Sequence, residues 1–187
     1  MISHKLKFVF VHIPRTSGTS IKCTLQHFDK NSIIGGSKTS WNYHASLQDY
    51  KNKYSIDDYF KFTIVRNTWD RLYSWYSFRP QMNQRYFLTF KQWLLEKYWC
   101  YNGHTTQLSW LYDNDTVNMD FIGHFETLQQ DYSYILNKIG INSSHTLLKR
   151  NVTNAIPDGV YDDEMQEFVL THFKTEMELF NYALVPH

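Results

Sequence analysis

The residues best suited to chemistry sit near the start of the chain, in the run His-Ile-Pro-Arg-Thr-Ser-Gly-Thr-Ser at 12–20. Thr16, Ser17, Thr19 and Ser20 offer hydroxyl donors, Arg15 a fixed positive charge, and Gly18 lets backbone come close to a ligand. Together they suit a phosphate or sulfate. Arg66 and Ser74, eight residues apart or about two turns if the stretch is helical, are spaced so that both can lie near one anion. In isolation Arg66 would read as a surface ion pair with a neighbour such as Asp70, and the first run as a hydroxyl-rich helix cap. Three of the nine histidines are candidates for proton transfer. His12 adjoins the hydroxyl run, His44 lies in Trp-Asn-Tyr-His-Ala-Ser-Leu, and His104 follows Gly103 and precedes two threonines. Residue type alone leaves all three in structural roles.

Positioning these groups requires two strand-to-helix junctions. Residues 8–11 are β-branched and aromatic, and after Pro14 the apolar residues recur at helical spacing as Ile21, Leu25 and Phe28. Phe62 to Val65 read as a buried strand ending at Arg66, followed by a helix with Leu72, Trp75 and Tyr76 on one face. Such a corner aims unpaired backbone N–H groups and the positive end of a helix dipole at one point, which is a physical basis for anion binding. Between the junctions lies a polar Gly-Ser loop, with a helix expected from about Ser46. Further on are a helical aromatic stretch from Phe90 to Tyr98, a short apolar segment Phe121-Ile122-Gly123, and a helix through Leu128, Tyr132, Ile135, Leu136 and Ile139 stopped by Gly140. A last helix is capped by Asp162 or Asp163 and presents Met165, Phe168, Val169 and Phe173. Strands alternating with helices predict an α/β fold with a mainly parallel sheet.

Composition narrows the function. The 187 residues are 42% hydrophobic and 18% aromatic, which suits a single domain over 1–187. Nineteen basic against eighteen acidic residues leave a formal charge of +1, so no chain-wide field recruits nucleic acid or an anionic membrane. No apolar run is long enough to span a bilayer and no leader pattern precedes the first strand, so the expectation is a soluble, cytoplasmic protein. Cys23 and Cys100 match no metal spacing or disulfide framework, and the histidine spacing forms no zinc site. The sequons at Asn114, Asn142 and Asn151 carry no weight without a secretory signal.

A nucleotide triphosphatase loop would place glycine where Ile13 stands and lysine where Thr19 stands, with Ser20 alone matching; without that lysine, γ-phosphoryl transfer is disfavoured. The run instead resembles the 5′-phosphosulfate loop of PAPS-dependent sulfotransferases, written around Pro-Lys-Thr-Gly-Gly-Thr-Ser. Val-Arg-Asn-Thr-Trp-Asp-Arg-Leu-Tyr-Ser-Trp-Tyr from Val65 resembles their 3′-phosphate motif. Asp-Phe-Ile-Gly-His-Phe-Glu from Asp120 and the segment from Val160 to Leu184 resemble later family segments, so nearly the whole chain is covered. The resemblance is nearest to the carbohydrate-type enzymes, including bacterial members and the heparan sulfate 2-O type.

The resemblance implies a P-loop-like three-layer fold with a central, mainly parallel sheet flanked by helices. It puts the 5′-phosphate and sulfuryl group of PAPS over Arg15, Thr16, Ser17, Gly18, Thr19 and Ser20, and the 3′-phosphate on Arg66 and Ser74. It implies PAP as product, no metal, and a hydroxyl-bearing acceptor, with a glycan expected. His44 corresponds to a histidine that precedes a helix in related enzymes and is the expected general base, with His104 in reserve and His12 shaping the loop. Trp41, Tyr43, Trp93, Trp99 and Tyr101 could stack on a sugar or belong to the core. Four positions depart from the family pattern: Arg15 for lysine, Ser17 for glycine, Thr68 for proline and His124 for arginine. Two alternatives are an ATP-dependent kinase and a catalytically silent nucleotide- or glycan-binding module.

Overall fold

A computed structural model of the protein describes residues 1–34, 44–78, 87–100, 103–142, 146–147 and 156–186. Trp41, Tyr43, Tyr101 and the Asn151 sequon lie outside these residues. Two compact units divide the chain, one comprising 1–65 with 108–151 and the other 66–107 with 152–187.

The first unit is built on a sheet. Its strands are β1 (Ile2–Ser3), β2 (Phe8–Val11), β3 (Phe60–Val65) and β6 (Phe121–His124), in the order β1-β2-β3-β6. β2 pairs with β3 and β3 with β6 in parallel, while β1 joins β2 antiparallel. Every residue of β2 is buried, as expected of a strand covered on both faces. Alternation sends Phe8, Phe10, Phe62 and Ile64 into one core with Ile21 and Leu25 of α1 (Gly18–Phe28) and Tyr132, Ile135 and Leu136 of α5 (Leu128–Lys138). Gly123 lets α5 come close: a Cβ there would stand 2.7 Å from Ile64 Cδ1 and 3.1 Å from Asp131 Cβ.

α2 (Leu47–Lys53) begins at Ser46, whose hydroxyl accepts from the Asp49 N–H at 3.2 Å while Asp49 Oδ2 accepts from the Ser46 N–H at 2.8 Å. Lys51 ties this helix to Asp113 at 2.6 Å. Asp113 lies in a small hairpin of β4 (Tyr112–Asp113) and β5 (Thr116–Val117), which, like β1, is too short for an apolar pattern and was not expected.

Among the described residues, the second unit packs α3 (Thr68–Phe78), α4 (Phe90–Leu95) and α6 (Asp163–Leu179) against one another. Their core includes Trp69, Leu72, Trp93, Met165, Val169 and Phe173. Trp93 and Trp99 are 3% and 2% exposed, which makes them core residues and not stacking platforms. The expected helix over 90–98 ends at Leu95, and Trp99 Nε1 then donates to the Leu94 carbonyl at 2.9 Å. α5 stops before Gly140, whose φ of 78° is the left-handed turn foreseen for it.

Candidate functional site

After β2 the chain runs through buried His12, Ile13 and Pro14 into a corner where Arg15 (φ 69°) and Ser17 (φ 66°) are both left-handed. Glycine is the residue that takes this conformation without steric cost, so Ser17 carries strain where the family pattern has glycine. Ser17 caps α1 through its backbone: its carbonyl accepts from the Ile21 N–H at 3.2 Å, and its side chain makes no capping bond. The N–H groups that open α1 therefore have no partner within the helix, and they lie at the positive end of its dipole.

The hydroxyls divide by direction. Arg15, Ser17 and Thr19 are half-buried, whereas Thr16 and Ser20 are buried. Thr16 differs from the expectation of a donor to a bound anion: its hydroxyl donates to the Ile13 carbonyl at 2.9 Å and closes the turn. The corner thus offers Arg15, Ser17, Thr19 and helix N–H groups to an anion.

Gly18 has a more local cause than ligand approach. A Cβ built there would fall 1.6 Å from His12 Cδ2, so the imidazole occupies the space a side chain would need. His12 is 5% exposed, and its Nδ1 has no hydrogen-bond partner. Burial, then the nearby charges of His44, Lys22, the Met1 amine and Arg15, holds its pKa well below the usual histidine value. His12 is accordingly neutral near pH 7.

His44 packs against His12 with ring centroids 4.2 Å apart, and its Nδ1 lies 2.7 Å from the His12 carbonyl oxygen. A carbonyl can only accept, so Nδ1 carries the proton and, in the neutral ring, Nε2 carries the lone pair. That is the tautomer a general base requires. The Trp110 ring meets the His44 ring in a T-shaped arrangement with centroids 5.9 Å apart. The first unit therefore brings together His12, His44 and the 15–20 corner.

Arg66, Ser74 and His104 belong to the second unit. Arg66 follows the last residue of β3 and is half-buried, and Ser74 is 2% exposed within α3. The Arg66 peptide is gripped by one side chain: its N–H donates to Gln107 Oε1 at 2.9 Å, and its carbonyl accepts from Gln107 Nε2 at 2.9 Å. Gln107 in turn meets the buried carboxylate of Glu176, which also accepts from Thr68 Oγ1 at 2.8 Å. Arg71 is 2% exposed; burial lowers its pKa to about 10, Glu176 opposes that shift, and it remains charged at neutral pH.

The sequence reading passed over Gln107, Glu176 and Arg71, although a signal for two of them existed. Glu176 falls on the buried stripe of α6 with Met165, Val169 and Phe173, and Arg71 on that of α3 with Thr68, Leu72 and Trp75. A charged residue on an apolar stripe needs a partner.

A family model described as the sulfotransferase family matches residues 1–183. The chain belongs to the sulfotransferase family. Its mainly parallel sheet with flanking helices is that family's P-loop-like fold, and the activity that goes with membership is sulfuryl transfer. An uncharacterized protein of Archaeoglobus fulgidus is 29% identical to this sulfotransferase over 96 residues, 51% of the present chain and 79% of its own. No solved structure matches the chain. Among the described residues, no helix is long and apolar enough to cross a membrane.

Proposed function

We propose that the protein moves the sulfuryl group of PAPS to a hydroxyl of a carbohydrate acceptor by in-line displacement, with His44 as the general base. The observation that carries this reading is the His44 imidazole, set by the His12 carbonyl in the tautomer that leaves Nε2 able to accept a proton, in the same unit as the Arg15–Ser20 corner. The donor supplies an activated sulfur–oxygen bond, which breaks as the acceptor oxygen bonds to sulfur and leaves its electron pair on the 5′-phosphate oxygen. His44 Nε2 takes the acceptor proton. Arg15 and the N–H groups opening α1 stabilise the charge that grows on the leaving oxygen. Arg66 and Ser74 hold the 3′-phosphate, and Ser17 and Thr19 add neutral donors at the 5′ end.

The test is transfer of labelled sulfate from PAPS to a panel of glycans and simple alcohols. His44→Ala is expected to keep PAP affinity and lose roughly two to four orders of magnitude in turnover, the range usual for a general base. Near-normal turnover in that variant, with collapse in His104→Ala, would move the role to His104. No transfer to any acceptor, with PAP still bound, would leave a nucleotide-binding module.

A further inference from the structure

The carboxylate of Glu176 is 1% exposed on α6 and costs free energy to bury, so its partners indicate what it does there. Oε1 accepts from Thr68 Oγ1 at 2.8 Å and Gln107 Nε2 at 3.2 Å, and Oε2 accepts from the Gln107 backbone N–H. All three donors come from segments next to Arg66 in space or sequence, although Glu176 is 108 residues from Thr68 along the chain.

Polarity then passes along this chain of bonds in one direction. An ionised carboxylate can only accept, so the Gln107 amide must turn its NH₂ toward Glu176. Its two hydrogens serve Glu176 Oε1 and the Arg66 carbonyl, and Gln107 Oε1 is left to receive the Arg66 N–H. The donors and acceptor of the side-chain amide are all used. Arg66 is held at both its N–H and its carbonyl, as a strand neighbour would hold it, one residue beyond the end of β3. Glu176 also offsets charge, since the Arg66 and Arg71 guanidiniums repel one another while the carboxylate favours the charged form of Arg71. Thr68, standing where the family pattern has proline, supplies a hydroxyl to the same carboxylate that proline could not.

We propose that Glu176, acting through Gln107 and Thr68, is the positioning residue that fixes the Arg66 backbone for recognition of the donor's 3′-phosphate. This rests on the reading that Arg66 binds that phosphate. Glu176 does not touch the nucleotide; it determines where the arginine that does so begins.

The test compares two ligands by calorimetry: PAP, and 5′-AMP, which lacks the 3′-phosphate. Glu176→Gln is expected to weaken PAP about tenfold, the scale of one lost charge-assisted hydrogen bond, and to leave 5′-AMP unchanged. In an Arg66→Ala background the same substitution is expected to have no further effect on PAP. Equal weakening of both ligands would make Glu176 a purely structural residue and overturn the proposal. Should Glu176→Gln fail to fold, Thr68→Val removes one hydroxyl at nearly constant volume and is expected to weaken PAP about threefold, again sparing 5′-AMP; an unchanged PAP affinity would overturn the proposal. Loss of PAP affinity in Arg66→Ala, with full affinity in Glu176→Gln and Thr68→Val, would sink this inference alone. Wild-type protein binding PAP no better than 5′-AMP would sink the reading of Arg66 and this inference with it.

Discussion

At the scale of single residues, the corner after β2 depends on Ser17, which the sequence presents as a ligand group, and on His12, expected there to shape the loop. Ser17 is left-handed and makes no capping bond through its side chain. Ser17→Gly is therefore expected to stabilise the fold by about 0.5–1 kcal/mol, the relief of the left-handed strain less the greater freedom glycine gains on unfolding. Urea denaturation measures this, and a loss of stability would show that the hydroxyl makes a contact worth more than the strain. His12 gives the corner a pH dependence. Its folded pKa lies below that of the unfolded chain, near 6.5, so above that value both states are neutral and stability is full. As pH falls below about 6.5, the unfolded chain takes up a proton that the folded state refuses, and stability is lost at up to about 1.4 kcal/mol per pH unit. The groups around it, His44, Lys22, the Met1 amine and Arg15, are all cationic or able to become so, and none offers the imidazolium a counter-charge. His12→Phe keeps a flat ring over Gly18 and cannot titrate. Its denaturation free energy between pH 5 and 8 is expected to lose that part of the slope; an unchanged slope would assign it to other histidines.

At the scale of elements, caps decide where helices begin. Asp162 opens α6 by accepting the Met165 N–H at 3.0 Å, and it pairs with Lys91 of α4 at 2.9 Å. The ion pair is half exposed and contributes little, so Asp162→Ala is expected to cost about 1 kcal/mol, most of it from the cap. Asp162→Asn separates the two, because it keeps the cap and removes the charge; a loss as large as that of alanine would give the weight to Lys91. These boundaries were legible because they depend on residues within a turn of each other. Ser46 before α2, Asp162 before α6 and Gly140 after α5 each signal through local chemistry. So did β2 and β3, whose apolar runs need no partner to be recognised, although β3 begins at Phe60 and not Phe62. β1 and the β4–β5 hairpin were not legible, since two-residue strands exist only through pairing. The Glu176 network joins residues 41 to 108 positions apart, and local spacing cannot reveal such a link. Thr16 is a subtler case: its hydroxyl suited an anion by type, and the turn it closes claims the proton.

At the scale of the whole molecule, the sulfotransferase reading separates from a kinase by its choice of nucleotide. PAP at a hundred times its dissociation constant stabilises a folded protein by about 2.7 kcal/mol, which corresponds to roughly 5–10 °C in melting temperature for a chain of this size. Thermal unfolding is expected to show that rise with PAP and none with ATP, and the opposite order would favour the kinase. The two units interleave along the sequence: the chain leaves the first after Val65, returns at Leu108 and leaves again after Asn151. Arg66, Thr68 and Gln107 are thus made well before the carboxylate that organises them. On the ribosome, where folding proceeds as the chain emerges from its amino end, β2, β3 and α1 can assemble while α6 is still being synthesised. A product stalled between Gln107 and Glu176 would carry Arg66, Thr68 and Gln107 yet lack the carboxylate that joins them, so under the proposed reading the capacity to hold a 3′-phosphate would follow synthesis of the donor loops and not accompany it.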